Sequence, residues 1–126
     1  MSGVNNSTLL QYFYIKGESS MGIFDLFKRE DINEGIQAFK EEDKAMLIDV
    51  REVDEFRQGH IPNAKNVPLS TSGDIEKVVK DKDMPLYVYC LSGSRSRTAC
   101  MQFRKMGYTN VRNIGGIGNY KGSIQR

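Results

Sequence analysis

The chain has little cysteine, a single histidine and no tryptophan: only two of its 126 residues are cysteine. Two cysteines are too few for a disulfide framework, and neither lies in a CxxC pair or in a cluster of His and Cys that would bind metal. We therefore expect no metal ion, no bound cofactor and a reducing, cytoplasmic location. Long apolar runs are also missing, since none approaches the roughly 20 residues that span a bilayer. Stable membrane insertion is not expected.

The chain also lacks a large excess of positive or negative charge. The chain has 18 Lys and Arg residues against 16 Asp and Glu, a net charge of +2, and the basic residues are scattered among acidic ones. Nucleic-acid binders gather their basic residues into a patch, so no nucleic-acid partner is expected. A small anionic substrate is compatible with this balance. With 39% hydrophobic residues, a chain of this length can bury one core, which predicts one domain.

The beginning of the chain differs from the rest. Its first 20 residues are rich in Ser, Asn and Gly and show no sustained period. Ile23, Phe24 and Phe27 then have the spacing of one or two turns of amphipathic helix. Residues 1–30 are therefore predicted to be a flexible extension with a short amphipathic helix, for which docking on the domain or a partner is favoured over a membrane surface. The folded domain is predicted over residues 31–126.

Strand-like and helix-like segments alternate along this domain. The predicted strands are Ala45–Val50, Asn66–Leu69, Leu86–Tyr89 and Asn110–Ile114. The predicted helices are one that Asp31 caps, Glu52–Gln58, Gly73–Lys80 with an apolar stripe of Ile75, Val78 and Val79, and one that follows Cys90. Such alternation predicts an α/β fold with a mostly parallel central sheet and helices on both faces.

Cys90 is the main candidate for chemistry. It follows a short apolar strand and opens the loop Leu91–Ser96, which leads into a helix. Backbone amides and the positive end of a helix dipole at such a junction favour thiolate over thiol. Ligand sites of parallel α/β sheets lie at the carboxyl ends of the strands, where Arg51 follows another strand. A nucleophilic thiolate is predicted at this edge.

The residues after Cys90 are suited to surround its sulfur. Gly93 can adopt a positive φ, and the serines of the loop are small. The loop that would form an anion-binding nest around the sulfur consists of Leu91, Ser92, Gly93, Ser94, Arg95 and Ser96. In such a nest the backbone N–H groups point at the anion, and Arg95 adds a formal positive charge.

Two ordered groups of motifs resemble those of rhodanese-type sulfurtransferases, and together they cover roughly Asp31 to Gly122. The first group consists of Leu47–Glu52, Phe56, Gly59–Ala64 and Asn66–Leu69. The second consists of Tyr87–Cys90, Gly93–Ser96, Gly107–Tyr108, Val111 and Gly115–Ile117. The chain is therefore similar to single-domain members of that family, which implies a rhodanese-like fold. It departs from many relatives near its end, where Tyr120 stands in a segment that often carries Trp, and a short last helix is expected.

The resemblance implies that Cys90 removes the outer sulfur of an anionic donor such as thiosulfate, becomes a persulfide and passes that sulfur to cyanide or a thiol. A protein could also serve as sulfur donor or acceptor. Residues 91–96 would bind the donor, and Arg95 would hold its anionic end. Ser96 would either donate a hydrogen bond to the persulfide or cap the helix.

Two other functions stay open at this point. Phosphatases of related fold place a Cys-x5-Arg loop around phosphate, whereas Cys90-x4-Arg95 is one residue shorter. This difference favours sulfur transfer. Rhodanese modules can also be non-catalytic and carry sulfur or bind a partner, but the presence of Cys90, Gly93 and Arg95 favours activity.

Asp49, Arg51 and His60 are predicted to support the site. Asp49 and Arg51 fit an ion pair or hydrogen-bond brace under the loop, although Arg51 could also contact the donor. His60 lies in a Gly-His-Ile-Pro turn and is predicted to anchor it, because a thiolate that is already formed needs no general base. Cys100 falls on the inward face of a helix, which predicts a buried core thiol rather than a resolving cysteine.

Overall fold

Four parallel strands form the centre of the fold in the computed structural model, which describes residues 30–126. The strands are β1 (Met46–Asp49), β2 (Ala64–Asn66), β3 (Leu86–Cys90) and β4 (Val111–Gly116). They lie side by side in the order β2-β1-β3-β4, so the carboxyl ends of all four meet at one edge. The predicted extension and its amphipathic helix fall outside the described residues. Among the described residues, every helix is too short or too polar to cross a membrane.

Helices cover both faces of this sheet, which confirms the predicted α/β class. The helices are α1 (Ile32–Glu41), α2 (Val53–Gln58), α3 (Ile75–Val78) and α4 (Ser94–Lys105), with short 3-10 segments at Leu69–Asp74 and Ile117–Asn119. Asp31 caps α1 as expected, because its Oδ1 accepts a hydrogen bond of 2.9 Å from the backbone N–H of Asn33.

The alternation of side chains along β3 decides which way its last residue points. All five residues of the strand are buried. Leu86, Val88 and Cys90 belong to the core cluster that contains α3 and α4 residues, whereas Tyr87 and Tyr89 pack in the cluster with α1. Since successive side chains of a strand point to opposite faces, Cys90 faces the layer of α4.

The second strand begins two residues and ends three residues earlier than predicted. It covers Ala64–Asn66 instead of Asn66–Leu69. Its neighbour β1 ends at Asp49, which pairs with Asn66. The Asn66 side chain then donates to the carbonyls of Asp49 (3.0 Å) and Arg51 (2.9 Å). These side-chain hydrogen bonds add to backbone hydrogen bonds that continue past the regular strand, from the N–H of Val67 to Asp49 and from the N–H of Leu69 to Val50.

The helix predicted over Gly73–Lys80 is shorter and less regular than expected. Its α-helical part is only α3, which follows a 3-10 segment and ends when Val79 turns to an extended conformation. Ile75 and Val79 are buried as predicted, but Val78 is 37% exposed. Including Val78 in the apolar stripe was therefore wrong, because the helix ends at Val78 and the extended Val79 reaches the core instead.

Candidate functional site

Cys90 lies at the carboxyl end of the sheet, where β3 passes into the loop before α4. It is fully buried and pairs with Gly116 of β4. Its Sγ accepts a hydrogen bond of 3.0 Å from the backbone N–H of Gly93. Gly93 has φ of 105°, a left-handed conformation that glycine adopts without strain. The tight turn it allows brings the amide back onto the sulfur.

Hydrogen bonds to the sulfur outweigh the effect of burying it. Burial is the largest single influence on Cys90 and raises the pKa of its thiol. The Ser96 hydroxyl and the backbone amides of Ser96, Gly93 and Ser92 act in the opposite direction, and the net result is a lowered pKa. Hydrogen bonds to the ionised form favour that form. The site therefore holds a thiol that ionises more readily than a free cysteine.

Ser96 forms a hydrogen bond with the Cys90 sulfur and does not cap the helix. The N-cap of α4 is Gly93, so Ser96 is the third residue of the helix, and it is fully buried. Its Oγ lies 3.4 Å from Sγ and 2.7 Å from Oδ1 of Asn113. Because a hydroxyl has one proton, these two acceptors compete for it. When the Cys90 sulfur is ionised it becomes a stronger acceptor, which favours the hydrogen bond from Ser96 to the sulfur over the one to Asn113.

Asn113 connects the loop to β4. Its Oδ1 accepts from the backbone N–H of Gly115 (3.0 Å) and its Nδ2 donates to the carbonyl of Gly93 (3.1 Å). The side chain therefore fixes the turn that holds Gly93 and supplies the second partner of Ser96. Asn113 could not be identified from the sequence, because an asparagine inside a strand carries no local signal for this role.

A glycine of β4, Gly116, lets the loop lie close to the sheet. A register shift in the pairing of β3 with β4 places Gly115 opposite Tyr89 and Gly116 opposite Cys90. A Cβ atom on Gly116 would overlap the carbonyl oxygen of Leu91 and lie 2.6 Å from Cα of Ser92. Any other residue at position 116 would therefore push the loop away from the strand.

Arg95 makes a contact that the sequence analysis did not foresee. Its guanidinium forms two parallel hydrogen bonds with the carboxylate of Glu55, at 2.7 and 3.0 Å. That Arg95 holds the anionic end of a donor stays a prediction, and its guanidinium already binds the Glu55 carboxylate. Glu55 is the third residue of α2 and completes a capping box with Glu52, and this spacing is the signal that could have identified it.

Asp49 and Arg51 form a buried ion pair. The Arg51 guanidinium donates to Asp49 Oδ2 at 2.8 Å and to the carbonyl of Gly59 at 2.6 Å. Asp49 is fully buried and Arg51 is 6% exposed. The predicted ion pair is therefore present and holds the turn at Gly59, and Arg51 lines the same groove as Leu91 of the loop.

His60 belongs to the same turn. In the described part of the chain its hydrogen bonds do not reach the loop residues 91–96. Its Nδ1 lies 2.8 Å from the carbonyl oxygen of Phe56, and its ring stacks on that of Phe56 with centroids 3.8 Å apart. Its backbone pairs with Gln125. His60 therefore joins α2 to the end of the chain, in keeping with an anchoring residue.

The remaining loop residues are exposed, and a groove lies beside them. Leu91 is 50% exposed, and Ser92 and Ser94 are also exposed. The groove has a volume of about 410 Å³, and Leu91, Glu55, Arg51, Ile117 and Ile124 are among its lining residues. By contrast, Cys100 lies in the core, where burial raises the pKa of its thiol to about 12.

Removing the Ser96 hydroxyl should raise the pKa of Cys90. In the Ser96→Ala variant one hydrogen bond to the thiolate is lost while burial is unchanged, so a smaller fraction of Cys90 is ionised at neutral pH. Alkylation by iodoacetamide, which consumes the thiolate, should become slower at pH 7 and reach its plateau at higher pH. The matched control is Ser94→Ala in the same loop, whose profile should not move. An unshifted profile for Ser96→Ala would mean that the amides alone set this pKa.

Comparison with known proteins adds three similarities. Residues 33–123 match the family model of the rhodanese-like domain. The chain is 42% identical over 83 residues to an uncharacterized protein of Bacillus subtilis, covering 65% of this chain and 65% of that protein. It is 37% identical over 119 residues to a putative mitochondrial thiosulfate sulfurtransferase of Schizosaccharomyces pombe, covering 82% and 75%. The chain thus spans about two thirds to three quarters of these two relatives.

A solved structure shares the fold. A rhodanese from E. coli, determined with anions, superposes with a TM-score of 0.61 and 34% sequence identity. The match covers 65% of this chain and 98% of that protein.

Proposed function

Because the chain belongs to the rhodanese-like domain family, we propose that it is a sulfurtransferase that carries sulfane sulfur on Cys90. The observation that carries this proposal is the surrounding of Sγ by the Gly93 amide and the Ser96 hydroxyl, which lowers the pKa of the thiol. A thiolate at neutral pH is the nucleophile that sulfur transfer requires. The donor is thiosulfate or a persulfide, and the acceptor is a thiol or cyanide.

The reaction has two displacement steps. In the first, the Cys90 thiolate attacks the outer sulfur of the donor; a bond forms between Sγ and that sulfur, and the leaving group departs with the electron pair of the broken bond. In the second, the acceptor attacks the terminal sulfur, and Cys90 is released as thiolate. Splitting the transfer in this way makes each step easier than a direct exchange.

The loop amides stabilise the intermediate. The persulfide places a terminal sulfur one bond beyond Sγ, and its negative charge needs hydrogen-bond donors that are already oriented. The N–H groups at the start of α4 and the Ser96 hydroxyl supply them. Because Cys90 has no exposed surface, the atoms that cover its sulfur must shift for the donor to reach it.

A non-catalytic sulfur carrier or partner-binding module is the alternative, and a phosphatase is less favoured. A carrier would form the persulfide but would not turn over with small acceptors. A phosphatase would need a longer loop than Cys90-x4-Arg95. The proposed chemistry needs Cys90 as a free thiol, which fits a reducing, cytoplasmic location, and a protein donor or acceptor fits the same mechanism.

Mass spectrometry of the protein after incubation with thiosulfate tests the proposal. We expect a mass increase of about 32 Da, one sulfur atom, mapped by peptide analysis to Cys90 and not to Cys100, and reversed by cyanide. Persulfide that cyanide or thiols cannot discharge would indicate the carrier. Release of phosphate from an aryl phosphate without any adduct would overturn the assignment in favour of the phosphatase.

A further inference from the structure

The positive charge that the reactive loop itself carries, on Arg95, is already paired with a carboxylate. Arg95 and Glu55 form a two-pronged ion pair, and each side chain is only about one-third exposed, at 34% and 33%. Paired hydrogen bonds between a guanidinium and a carboxylate combine strength with fixed geometry. An incoming anion must therefore compete with Glu55 for Arg95.

Glu55 is held in this place by its own helix. Its Oε1 accepts a hydrogen bond of 3.0 Å from the backbone N–H of Glu52, which closes the capping box of α2. The hydrogen bond from Arg95 is the main cause that lowers the pKa of Glu55 to about 2. The carboxylate is thus fully ionised at any pH at which a thiolate forms.

Other negative charges surround Arg95. Besides Glu55, the Cys90 thiolate and the Glu52 carboxylate act on its guanidinium. The neighbouring positive charge of Arg51 is matched by Asp49. The guanidinium groups of Arg95 and Arg51 are therefore both paired with carboxylates, and neither of these two offers an unpaired positive charge to an incoming dianion.

The groove beside the loop is lined by apolar side chains and by one residue of each charge, Arg51 and Glu55. Leu91, Ile117 and Ile124 give it apolar walls, and Glu55 is part of its lining. Its volume of about 410 Å³ exceeds what a small inorganic ion needs. This surface suits an organic group attached to the sulfur that is transferred.

We propose that Glu55 is a specificity-determining residue, which disfavours dianionic donors such as thiosulfate and favours organic donors with a single negative charge. Persulfides (R–S–S⁻) and thiosulfonates (R–SO2–S⁻) belong to this class. The inference rests on the proposed function and names the class of donor for the same site. Coulomb repulsion by Glu55 is twice as large for a dianion as for a monoanion at the same distance.

The favoured donors react with balanced atoms and charge. With a persulfide, Cys90–S⁻ and R–S–S⁻ give Cys90–S–S⁻ and R–S⁻, so the S–S bond of the donor breaks and its electron pair leaves with the thiolate R–S⁻. With a thiosulfonate, the leaving group is the sulfinate R–SO2⁻. Neither reaction needs an external oxidant or reductant.

The Glu55→Gln variant tests this inference with two donors of related chemistry. Glutamine can still close the capping box, so α2 should keep its position. We expect the ratio of kcat/KM for thiosulfate to kcat/KM for methanethiosulfonate to rise by about fivefold or more at low ionic strength, and the increase to shrink with added salt. The matched control is Asp54→Asn, which removes one exposed charge from the same helix and should leave the ratio unchanged.

A binding measurement separates this inference from the proposed function. In a Cys90→Ser background, which forms no persulfide, thiosulfate should bind about fivefold more tightly when Glu55→Gln is added. A wild-type protein that forms no persulfide with either donor would contradict the proposed function but not this result. If the kinetic ratio is unchanged or reduced and the binding of thiosulfate is also unchanged, the proposed role of Glu55 is overturned. If Asp54→Asn changes the ratio by the same amount, the effect is one of net charge and not of Glu55.

Discussion

Replacing Cys90 by serine is expected to lower kcat/KM for sulfur transfer from thiosulfate to cyanide by at least about 10³-fold, because both displacement steps pass through its sulfur. Serine keeps the size of the side chain and the hydrogen-bond partners of Sγ. Its hydroxyl does not ionise at neutral pH and forms no persulfide. The measurement is the initial rate of thiocyanate formation, with folding of the variant checked by circular dichroism.

The second cysteine gives the control for this experiment. Cys100 is buried in the core, and burial raises the pKa of its thiol to about 12, so it does not contribute a thiolate at neutral pH. Cys100→Ala should retain most of the activity; alanine is preferred to serine there because a buried hydroxyl without a partner is destabilising. Loss of activity in a folded Cys100→Ala protein, or retention of it in Cys90→Ser, would contradict the assignment of the nucleophile.

Cys90 could be recognised from sequence because its environment is local. A short apolar strand, a loop of small residues with Gly93 and a following helix are all contiguous, and the hydrogen bond from Gly93 to Sγ spans only three residues. The α/β class followed from the same kind of information, since the periods of helices and strands are properties of short segments.

The contacts that the sequence did not reveal join residues far apart in the chain. Glu55 and Arg95 are 40 residues apart, and Asn113 reaches the carbonyl of Gly93 from 20 residues away. Which partner a carboxylate or an amide finds at such a separation depends on strand order and register, which single segments do not encode. The closeness of Gly116 to the loop likewise depends on the register shift between β3 and β4.

The second strand shows the same limit at an element boundary. Asn66–Leu69 has an apolar pattern typical of a strand, but β2 ends at Asn66 because its neighbour β1 ends at Asp49. Backbone hydrogen bonds continue irregularly beyond this point, from the N–H of Val67 to Asp49 and from the N–H of Leu69 to Val50. Strand length is therefore decided by the partner strand and not by the local apolar pattern.

Asp49→Ala is expected to destabilise the fold by about 3–5 kcal/mol, the cost of leaving a buried charge without its partner. Asp49 is fully buried, and its carboxylate accepts from the backbone N–H of Arg51 at 2.9 Å and from the guanidinium at 2.8–3.2 Å. Without the carboxylate, the guanidinium of Arg51 keeps only the carbonyl of Gly59 among these partners. The midpoint and slope of urea denaturation measure the change in the free energy of unfolding.

Two further variants show that the cost comes from the unpaired buried charge. Adding Arg51→Met to Asp49→Ala should restore part of the lost stability, because an apolar side chain then replaces the stranded guanidinium. Asp74→Ala removes the aspartate of an exposed ion pair, in which Lys77 is 81% exposed, and should have a much smaller effect. If the loss of unfolding free energy in the double variant equalled the sum of the losses in the two single variants, the two residues would act independently. The loss in Asp49→Ala would then come from the empty volume at position 49 and not from the ion pair that holds the Gly59 turn.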